Sequence, residues 1–290
     1  MGLISDVVAT ESFAGDMRLG SIAAATDLGH VVLMTDSEGV DDLEISAVHA
    51  LLARGVEKFV YATMATSTRS VPQALRDRRL VLVNTVDPSL AAPAVVPDDF
   101  EAGRTAATTL VGAGHSTGIW LVGAVPTCSV PARQRLAGVK AGLRAAGLRL
   151  AGRVPCGWWP DESRGALAGL ITDGWWQRGP TAVIALNDRL AMGVYQAVTA
   201  SGRRVPEDLS VISFDNSDIG RWLEPGLSSL DLPYFDLGRR AVELLLADGA
   251  APTVHRLRMR LRARASVAPP RPRTPTAPRP VRLPAADRPS

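Results

Sequence analysis

Cysteine is nearly absent from this chain of 290 residues, which contains only Cys128 and Cys156. Two cysteines are too few for a disulfide framework, and neither has further cysteines or histidines at the spacing of a metal site. We therefore expect both to be small core residues. The sequence predicts no metal ion and no cofactor.

Long apolar runs are absent as well, since no stretch approaches the roughly 20 residues that a membrane-spanning helix needs. The first residues, MGLISDVVATESF, also lack the basic segment followed by an apolar segment that marks a secretory signal. These two absences predict a cytoplasmic protein that does not contact a membrane.

Sequence signatures of catalysis are missing too. Residues 114–118 match the G-x-S-x-G pattern of a hydrolase nucleophile elbow around Ser116. That elbow needs a strand before the serine and a helix after it, whereas here a helix precedes and a strand follows. A glycine turn that ends a helix explains the segment better than a catalytic serine. Because neither a GxxxxGK[ST] loop nor an HExxH motif occurs, we expect no enzyme.

Acidic residues are scarce in the last part of the chain. The net charge is +3, yet residues 256–290 contain ten arginines and one acid, Asp287, which leaves −6 on residues 1–255. This balance gives no support for attraction of nucleic acid by the globular part. Residues 269–290 hold eight prolines and five arginines, a composition that predicts a disordered tail. An arm for nucleic acid or an acidic partner is the less favoured interpretation of that tail.

Alternating strands and helices are what the sequence does contain. In residues 181–216, apolar runs at 182–186 and 209–214 flank a helix that Ser201-Gly202 ends. Short connections make this a βαβ unit with parallel neighbouring strands. Similar alternation occurs in two successive series, so we predict an α/β fold of two doubly wound parallel-sheet lobes with a cleft between them. The alternation of arginine with Leu and Met over 256–266 predicts one half-exposed strand.

Polar side chains gather at the predicted ends of strands, where parallel sheets bind ligands. They are Asp6, Asp98, Arg135, Asn187 and Asp215, and two aromatic residues, Phe13 and Trp159, stand near them in loops. Carboxylates accept hydrogen bonds from hydroxyls, amides and guanidinium groups donate to their oxygens, and aromatic rings pack on the apolar face of a pyranose. The mixture favours a sugar or another polyol. Each aspartate has a plainer interpretation as a helix cap, which we favour for Asp188 and consider for Asp99.

Several segments together resemble the effector-binding core of LacI-type bacterial transcriptional regulators, from Gly2 to about Pro269. The most specific are VVPDDFEAGR, GAGHSTGIWLVG, PARQRLAGVKAGL, ALNDRLAMGVYQA, RVPEDLSVISFDNSDIG and LPYFDLGRRAVELLL. The resemblance implies the periplasmic-binding-protein-like type I fold, in which three crossovers join the lobes. We place the first lobe at 1–115 with 232–252 and the second at 116–231 with 253–268.

The resemblance also implies a function and a site. Such proteins form dimers, bind a small molecule, usually a sugar or nucleobase, and thereby change their affinity for operator DNA. The ligand contacts carried over to this sequence are Asp6, Thr10, Phe13, Asp98, Arg135 with Arg133 as its alternative, Trp159, Asn187 and Asp215. We expect alanine at Arg135 or Asp215 to abolish effector binding while changing the melting temperature by only a few degrees.

One part of the family pattern is missing from the given sequence. LacI-type regulators carry a helix-turn-helix before the first strand, whereas this sequence is already within that strand at Gly2. We expect either a fragment of a regulator, which contacts DNA through a module outside this sequence, or a family member that binds its ligand without reading DNA. The alternative function is a stand-alone sugar-binding or solute-binding protein.

Overall fold

The computed structural model describes residues 1–7 and 15–271, and these residues form two lobes. Each lobe is built around a six-stranded sheet with helices on its faces. Every strand pairing is parallel except one antiparallel pair at the edge of the second sheet. The predicted α/β fold class is confirmed.

The first lobe has the strand order β11-β5-β4-β3-β1-β2. Its strands are β1 Gly2–Ser5, β2 Leu33–Asp36, β3 Lys58–Thr68, β4 Arg79–Val86, β5 Ala94–Pro97 and β11 Val254–Leu257. Its helices are α1 Gly15–Asp27, α2 Asp41–Leu52 and α8 Tyr234–Leu246, with a 3-10 turn at Gln73–Leu75.

The second lobe has the strand order β12-β10-β9-β8-β6-β7. Its strands are β6 Ile119–Val122, β7 Gly152–Val154, β8 Ala182–Ala185, β9 Ser210–Asp215, β10 Ser228–Asp231 and β12 Arg260–Arg262. Its helices are α3 Asp99–Gly112, α4 Val130–Ala145, α5 Pro160–Thr172, α6 Asp188–Ala200 and α7 Asp218–Trp222, with a 3-10 turn at Trp175–Arg178.

The central strands β6 and β8 of the second sheet are apolar along their whole length. All four residues of β8 are buried, as are all four residues of β6 beside it. Helices cover both faces of a doubly wound sheet, so its strands consist of continuous apolar runs instead of alternating ones. The polar residues that follow these strands are therefore left at the sheet edge, where the two lobes face each other.

Helix α3 belongs to the second lobe, which differs from the predicted division at residue 115. Its buried residues Ala102, Ala106 and Leu110 pack in the core of the second lobe. The first crossover therefore follows Pro97. Alternation of strands and helices gives the order of the elements, but it does not say which sheet a helix at a crossover packs against.

The segment 256–266 is divided between the lobes instead of forming the single strand predicted. Val254–Leu257 pairs with β5 in the first sheet, although our division placed residues from 253 onward in the second lobe. Arg260–Arg262 pairs with β10 in the second sheet. Arginine alternates with an apolar residue from Arg256, near the end of β11, to Arg262, at the end of β12, so the pattern continues through the crossover at Arg258-Met259 without marking it.

Glycines bring α3 and α4 into close contact. A Cβ atom on Gly103 would overlap the backbone carbonyl of Arg135, and one on Gly138 would overlap that of Phe100. Because each helix presents a glycine to the backbone of the other, the first turn of α3 lies directly beside Arg135.

Two further predictions concern membrane-spanning helices and the C-terminal tail. Within residues 1–7 and 15–271, no helix is both long and apolar enough to cross a membrane. Of the disordered tail predicted for residues 269–290, the part from residue 272 onward lies outside the described residues. At its start, Arg271 forms an ion pair with Asp208, with 3.0 Å between Nη1 and Oδ1.

Candidate ligand-binding cleft

A cavity of about 230 Å³ lies between the two lobes, and we call it the cleft. The first lobe and the crossovers line it with Met64, Ala65, Thr66, Asn84, Pro97, Leu232 and Tyr234. The second lobe lines it with Asp99, Pro131, Arg135, Trp158, Trp159, Asn187, Arg189 and Asp215. Both walls thus combine polar groups with apolar surface, as small-molecule sites do.

Arg135 is the central charge of the cleft and is 3% exposed. Its Nε donates to Asp99 Oδ1 at 2.8 Å, and its Nη1 lies 3.4 Å from Asp215 Oδ1. The same Nη1 donates to the carbonyl of Leu186 at the end of β8, and the guanidinium stacks over Phe214 at 4.6 Å. These contacts fix the guanidinium in one orientation against both carboxylates.

Burial controls the ionisation of the two carboxyl groups. It raises the pKa of Asp215 from 3.8 to about 7, although the charge of Arg135 opposes the shift. Burial also raises the pKa of Asp99, again against Arg135. One guanidinium thus faces two carboxyl groups, of which Asp215 changes its charge near neutral pH. At that pH Asp215 can act either as a hydrogen-bond acceptor or, when protonated, as a donor.

Asn84 supplies an unpaired acceptor on the first-lobe wall. Its side-chain nitrogen donates to the carbonyl of Met64 at 3.0 Å, while its Oδ1 has no hydrogen-bond partner among the described residues. The residue is 1% exposed, and a buried polar atom without a partner is costly. This oxygen is therefore an unsatisfied acceptor buried in the wall of the cleft.

Two consecutive tryptophans form the aromatic part of the cleft. The indole nitrogen of Trp158 donates to the carbonyl of Ala124 at 3.1 Å, which fixes its ring. Trp159 is 56% exposed, and the guanidinium of Arg189 stacks on it at 4.5 Å. Trp159 precedes α5 directly and so extends from the N-terminal end of that helix into the cleft.

Asn187 lies in the cleft, but its side-chain oxygen caps α6. Oδ1 accepts the backbone N–H of Leu190 at 2.7 Å, so the capping role that we assigned to Asp188 belongs to Asn187. Asp188 is 1% exposed and accepts hydrogen bonds from Ser213, Ser217 and Ser229 instead. The side-chain amide nitrogen of Asn187 donates to the carbonyl of Trp158 at 3.5 Å.

Asp98 and Asp99 also exchange the roles that we considered for them. Asp98 caps α3 by accepting the N–H of Glu101 at 3.1 Å, and it does not line the cleft. Asp99 lines the cleft and binds Arg135. Adjacent aspartates at a helix start look equivalent in sequence, but the helix geometry turns only one of them toward α4.

The remaining predicted contacts fall in three groups. Arg133 is exposed on α4 and does not line the cleft, so Arg135 is the arginine that the cleft contains. Asp6 is partly buried and accepts the N–H of Met64 at 2.9 Å, so it contacts a cleft residue but does not line the cleft itself. Thr10 and Phe13 lie outside the described residues.

The polar cleft residues missed from the sequence include Asn84, Asp99, Arg189 and Tyr234. Asn84 follows the apolar run of β4, so the rule that selected Asn187 at the end of β8 also applied to it. Tyr234 begins α8 just after the second crossover, which connects β10 with α8, and no local pattern marks it as a cleft residue. No group of three or more His, Cys, Asp or Glu side chains suited to a metal ion occurs among residues 1–7 and 15–271.

The two lobes, the three crossovers and the polar cleft define a bilobed binding-protein architecture. Residues 107–267 match the family model of the periplasmic binding protein-like domain, which is more than half of the chain. The chain therefore belongs to the periplasmic binding protein-like domain family.

Curated relatives of the chain are LacI-family repressors, which confirms the resemblance to that group. The sucrose operon repressor of Escherichia coli is 28% identical over 250 residues, covering 83% of this chain and 73% of the repressor. The ribose operon repressor of Escherichia coli (strain K12) is 24% identical over 260 residues, covering 87% of this chain and 76% of that repressor.

Solved structures show the same fold. A LacI family transcriptional regulator from Enterococcus faecium with bound ribose superposes with a TM-score of 0.71 at 26% identity, covering 93% of this chain and 100% of the other. A dimeric Lac repressor with a C-terminal deletion gives a TM-score of 0.76 at 24% identity, covering 93% and 99% of the two chains.

Proposed function

We propose that this chain is the small-molecule sensing core of a LacI-type DNA-binding transcriptional regulator. Its effector is a carbohydrate that binds in the cleft and changes affinity for operator DNA. The observation that carries this proposal is the cluster of Asp99, Arg135 and Asp215 in a cleft whose first-lobe wall contains Asn84.

The chemistry of the cleft supports a carbohydrate. Sugar hydroxyls both donate and accept hydrogen bonds, and the cleft offers acceptors at Asn84 and Asp215 and a donor at the amide nitrogen of Asn187. The exposed ring of Trp159 provides a flat apolar surface for the C–H face of a pyranose. The names of the sucrose and ribose operon repressors, and the ribose bound to the Enterococcus faecium regulator, support the same class.

The position of the cleft supports a mechanism of coupling. A ligand that touches Asn84 in the first lobe and Asp215 in the second favours the arrangement of the lobes in which both contacts form. A ligand can shift such an equilibrium only by its difference in affinity for the two arrangements, which is about 1–3 kcal/mol in typical allosteric proteins. This difference in ligand affinity between the two lobe arrangements sets how far the ligand can change the affinity for operator DNA.

We also propose a cytoplasmic homodimer. Eight of the thirteen exposed large hydrophobic residues described lie in the single segment from α1 through the edge strand β2 into α2. They are Leu19, Ile22, Leu28, Val31, Leu33, Val40, Leu43 and Ile45. Exposed apolar surface of this extent marks interaction sites. The Lac repressor structure that shares the fold is dimeric.

A thermal-shift screen of monosaccharides and disaccharides tests the effector class. A ligand that binds only the native state at 100 times its Kd stabilises the fold by about 2.7 kcal/mol, which is readily measured as a rise in Tm. Asp99→Asn and Asp98→Asn form a matched pair, because only Asp99 lines the cleft. We expect the sugar response to be lost in Asp99→Asn and kept in Asp98→Asn.

Two results would contradict the proposal. A response to nucleobases without any response to sugars would exclude the carbohydrate class. Recovery of the protein outside the cell membrane would favour a solute-binding protein for transport over a regulator.

A further inference from the structure

Asp215, the last residue of β9, and Asn216 after it have an unusual backbone conformation. Their φ angles are 105° and 51°, a region that residues other than glycine rarely occupy. Such a conformation persists only when the surroundings hold it in place. The direction in which Asp215 enters the cleft therefore depends on whatever holds this turn.

The side chain and backbone of Asn216 hold the turn through three hydrogen bonds. Its backbone N–H donates to Ser229 Oγ at 2.9 Å, and its Nδ2 donates to Asp231 Oδ1 at 3.1 Å. Its Oδ1 accepts from Arg264 Nη2 at 2.6 Å. Asn216 thus connects the end of β9 with β10 on one side and with the segment after β12 on the other.

The partners of Asn216 lie beside two of the three crossovers. Asp231 is the last residue of β10, and the chain enters the second crossover at Leu232, whose N–H donates to the carbonyl of Asp215 at 3.3 Å. The other carboxylate oxygen of Asp231 accepts from Arg262 at 2.7 Å, in the strand that follows the third crossover. The Asp231 carboxylate is thus shared between Asn216 and Arg262.

We propose that Asn216 is a positioning residue, which orients Asp215 in the cleft and ties it to the second and third crossovers through Asp231. Occupation of the cleft at Asp215 then changes the relative orientation of the lobes through this connection. The inference rests on the proposed binding of an effector in the cleft and adds the residue that links binding to lobe movement.

Asn216→Gly and Asn216→Ala distinguish the contribution of the side-chain amide from that of the backbone conformation. Glycine adopts positive φ freely, so Asn216→Gly removes the side-chain hydrogen bonds while preserving the turn, whereas Asn216→Ala also strains it. Asn216→Asp serves as a second variant, because it keeps an acceptor for Arg264 and loses the donor to Asp231. The control is Asp218→Asn, which breaks the exposed ion pair of Asp218 with Arg221 in α7.

Hydrogen-exchange mass spectrometry on the ligand-free protein tests the connection to the crossovers. In Asn216→Gly we expect exchange about tenfold faster in peptides covering residues 231–233 and 257–262, because local opening loses the hydrogen bonds that oppose it. Asp218→Asn should exchange in these peptides at the wild-type rate. Wild-type exchange there in both Asn216→Gly and Asn216→Asp overturns the proposal.

Carboxyl ¹³C NMR of Asp215 tests the orientation of its side chain. Burial raises the pKa of Asp215 to about 7, so a carboxyl group released toward solvent must titrate at lower pH. We expect the midpoint in Asn216→Gly to fall by at least about one pH unit. Faster exchange at the crossovers without a change in this midpoint would show that Asn216 supports the crossovers alone, and would overturn the proposal.

Both measurements use the ligand-free protein, so their outcome is separate from that of the sugar screen. If no sugar binds while exchange and titration change as expected, the carbohydrate proposal fails and the positioning role of Asn216 stands. If a sugar binds wild type and Asn216→Gly equally well, and exchange is also unchanged, the positioning role fails alone.

Discussion

Arg135 and Asp99 form an ion pair in which both side chains are almost fully buried, with 2.8 Å between Nε and Oδ1. Removing one partner from such a pair leaves an uncompensated charge in the interior, which costs about 3–5 kcal/mol. We expect Arg135→Ala to lower the free energy of unfolding by that amount in urea titrations. This replaces the expectation from sequence that its melting temperature would change by only a few degrees.

Arg133 lies two residues before Arg135 in α4 and is exposed, so it is the matched control for Arg135. Surface substitutions generally change stability by less than about 0.5 kcal/mol. Equal stability of Arg133→Ala and Arg135→Ala would show that the buried ion pair does not form in solution.

Asn84 is expected to determine affinity rather than stability. Its φ of 56° suits glycine, so Asn84→Gly retains this backbone conformation within β4 and removes the unpaired Oδ1. Loss of one hydrogen bond to a ligand reduces affinity by roughly tenfold. Asn84→Asp keeps an acceptor and should bind more tightly than Asn84→Gly. Isothermal calorimetry with a sugar that shifts Tm measures both, and equal affinities would remove Asn84 from the site.

Stability is expected to depend on pH through Asp215. Its pKa is raised from 3.8 to about 7, so the folded protein retains a proton that the unfolded chain has already released. The contribution of this group to stability is therefore complete below pH 3.8 and is lost as the pH rises through 7. Asp215→Asn cannot ionise, so its stability relative to wild type should increase between pH 5 and pH 8. A constant difference in unfolding free energy across this range would contradict the raised pKa.

Two glycine substitutions should have opposite effects on stability, because only one of the glycines lies where α3 and α4 pack closely. In Gly138→Ala the new methyl group meets the carbonyl of Phe100, and overpacking of this kind costs about 1–3 kcal/mol. In Gly165→Ala, in the middle of α5, a Cβ meets no atom within 4 Å, and alanine gains about 0.5–1 kcal/mol over glycine in a helix. Thermal unfolding should show a lower Tm for the first variant and a higher one for the second.

The proposed dimer surface predicts that charges in the α1–α2 segment dissociate the protein. Ile22 and Ile45 are 41% and 48% exposed, and a glutamate at either position would be buried without a partner in an apolar interface. We expect Ile22→Glu with Ile45→Glu to give a monomer by light scattering. Trp222→Glu, at an exposed position in α7, should leave the mass unchanged. A wild-type monomer at micromolar concentration would contradict the dimer.

The sequence was sufficient for the fold class because buried parallel strands and amphipathic helices leave strong local patterns. It was less informative about which lobe an element joins. The face of α3 that carries Ala102 and Ala106 would suit either core, and the arginine alternation that begins at Arg256 in β11 continues unchanged into β12. Assignment to a lobe depends on contacts between residues far apart in the chain, and local periodicity does not record them.

The site shows the same limit at the level of single residues. The strand-end rule found Asn187 and Asp215, and applied consistently it would have found Asn84. It could not distinguish Asp98 from Asp99, because the choice depends on the angle at which α3 starts. The rule also could not predict that Asn187 caps α6 while Asp188 is buried among three serines from other segments.

The division of β11 and β12 between the sheets has a consequence for the order in which the lobes are completed during synthesis. The first sheet lacks its edge strand until residues 254–257 have been made, and the second lacks one until 260–262 follow. Most of the first lobe therefore leaves the ribosome long before its last helix and strand are available. Both lobes reach their final form within a few residues of each other, so neither can be produced as an intact unit by truncating the chain at one point.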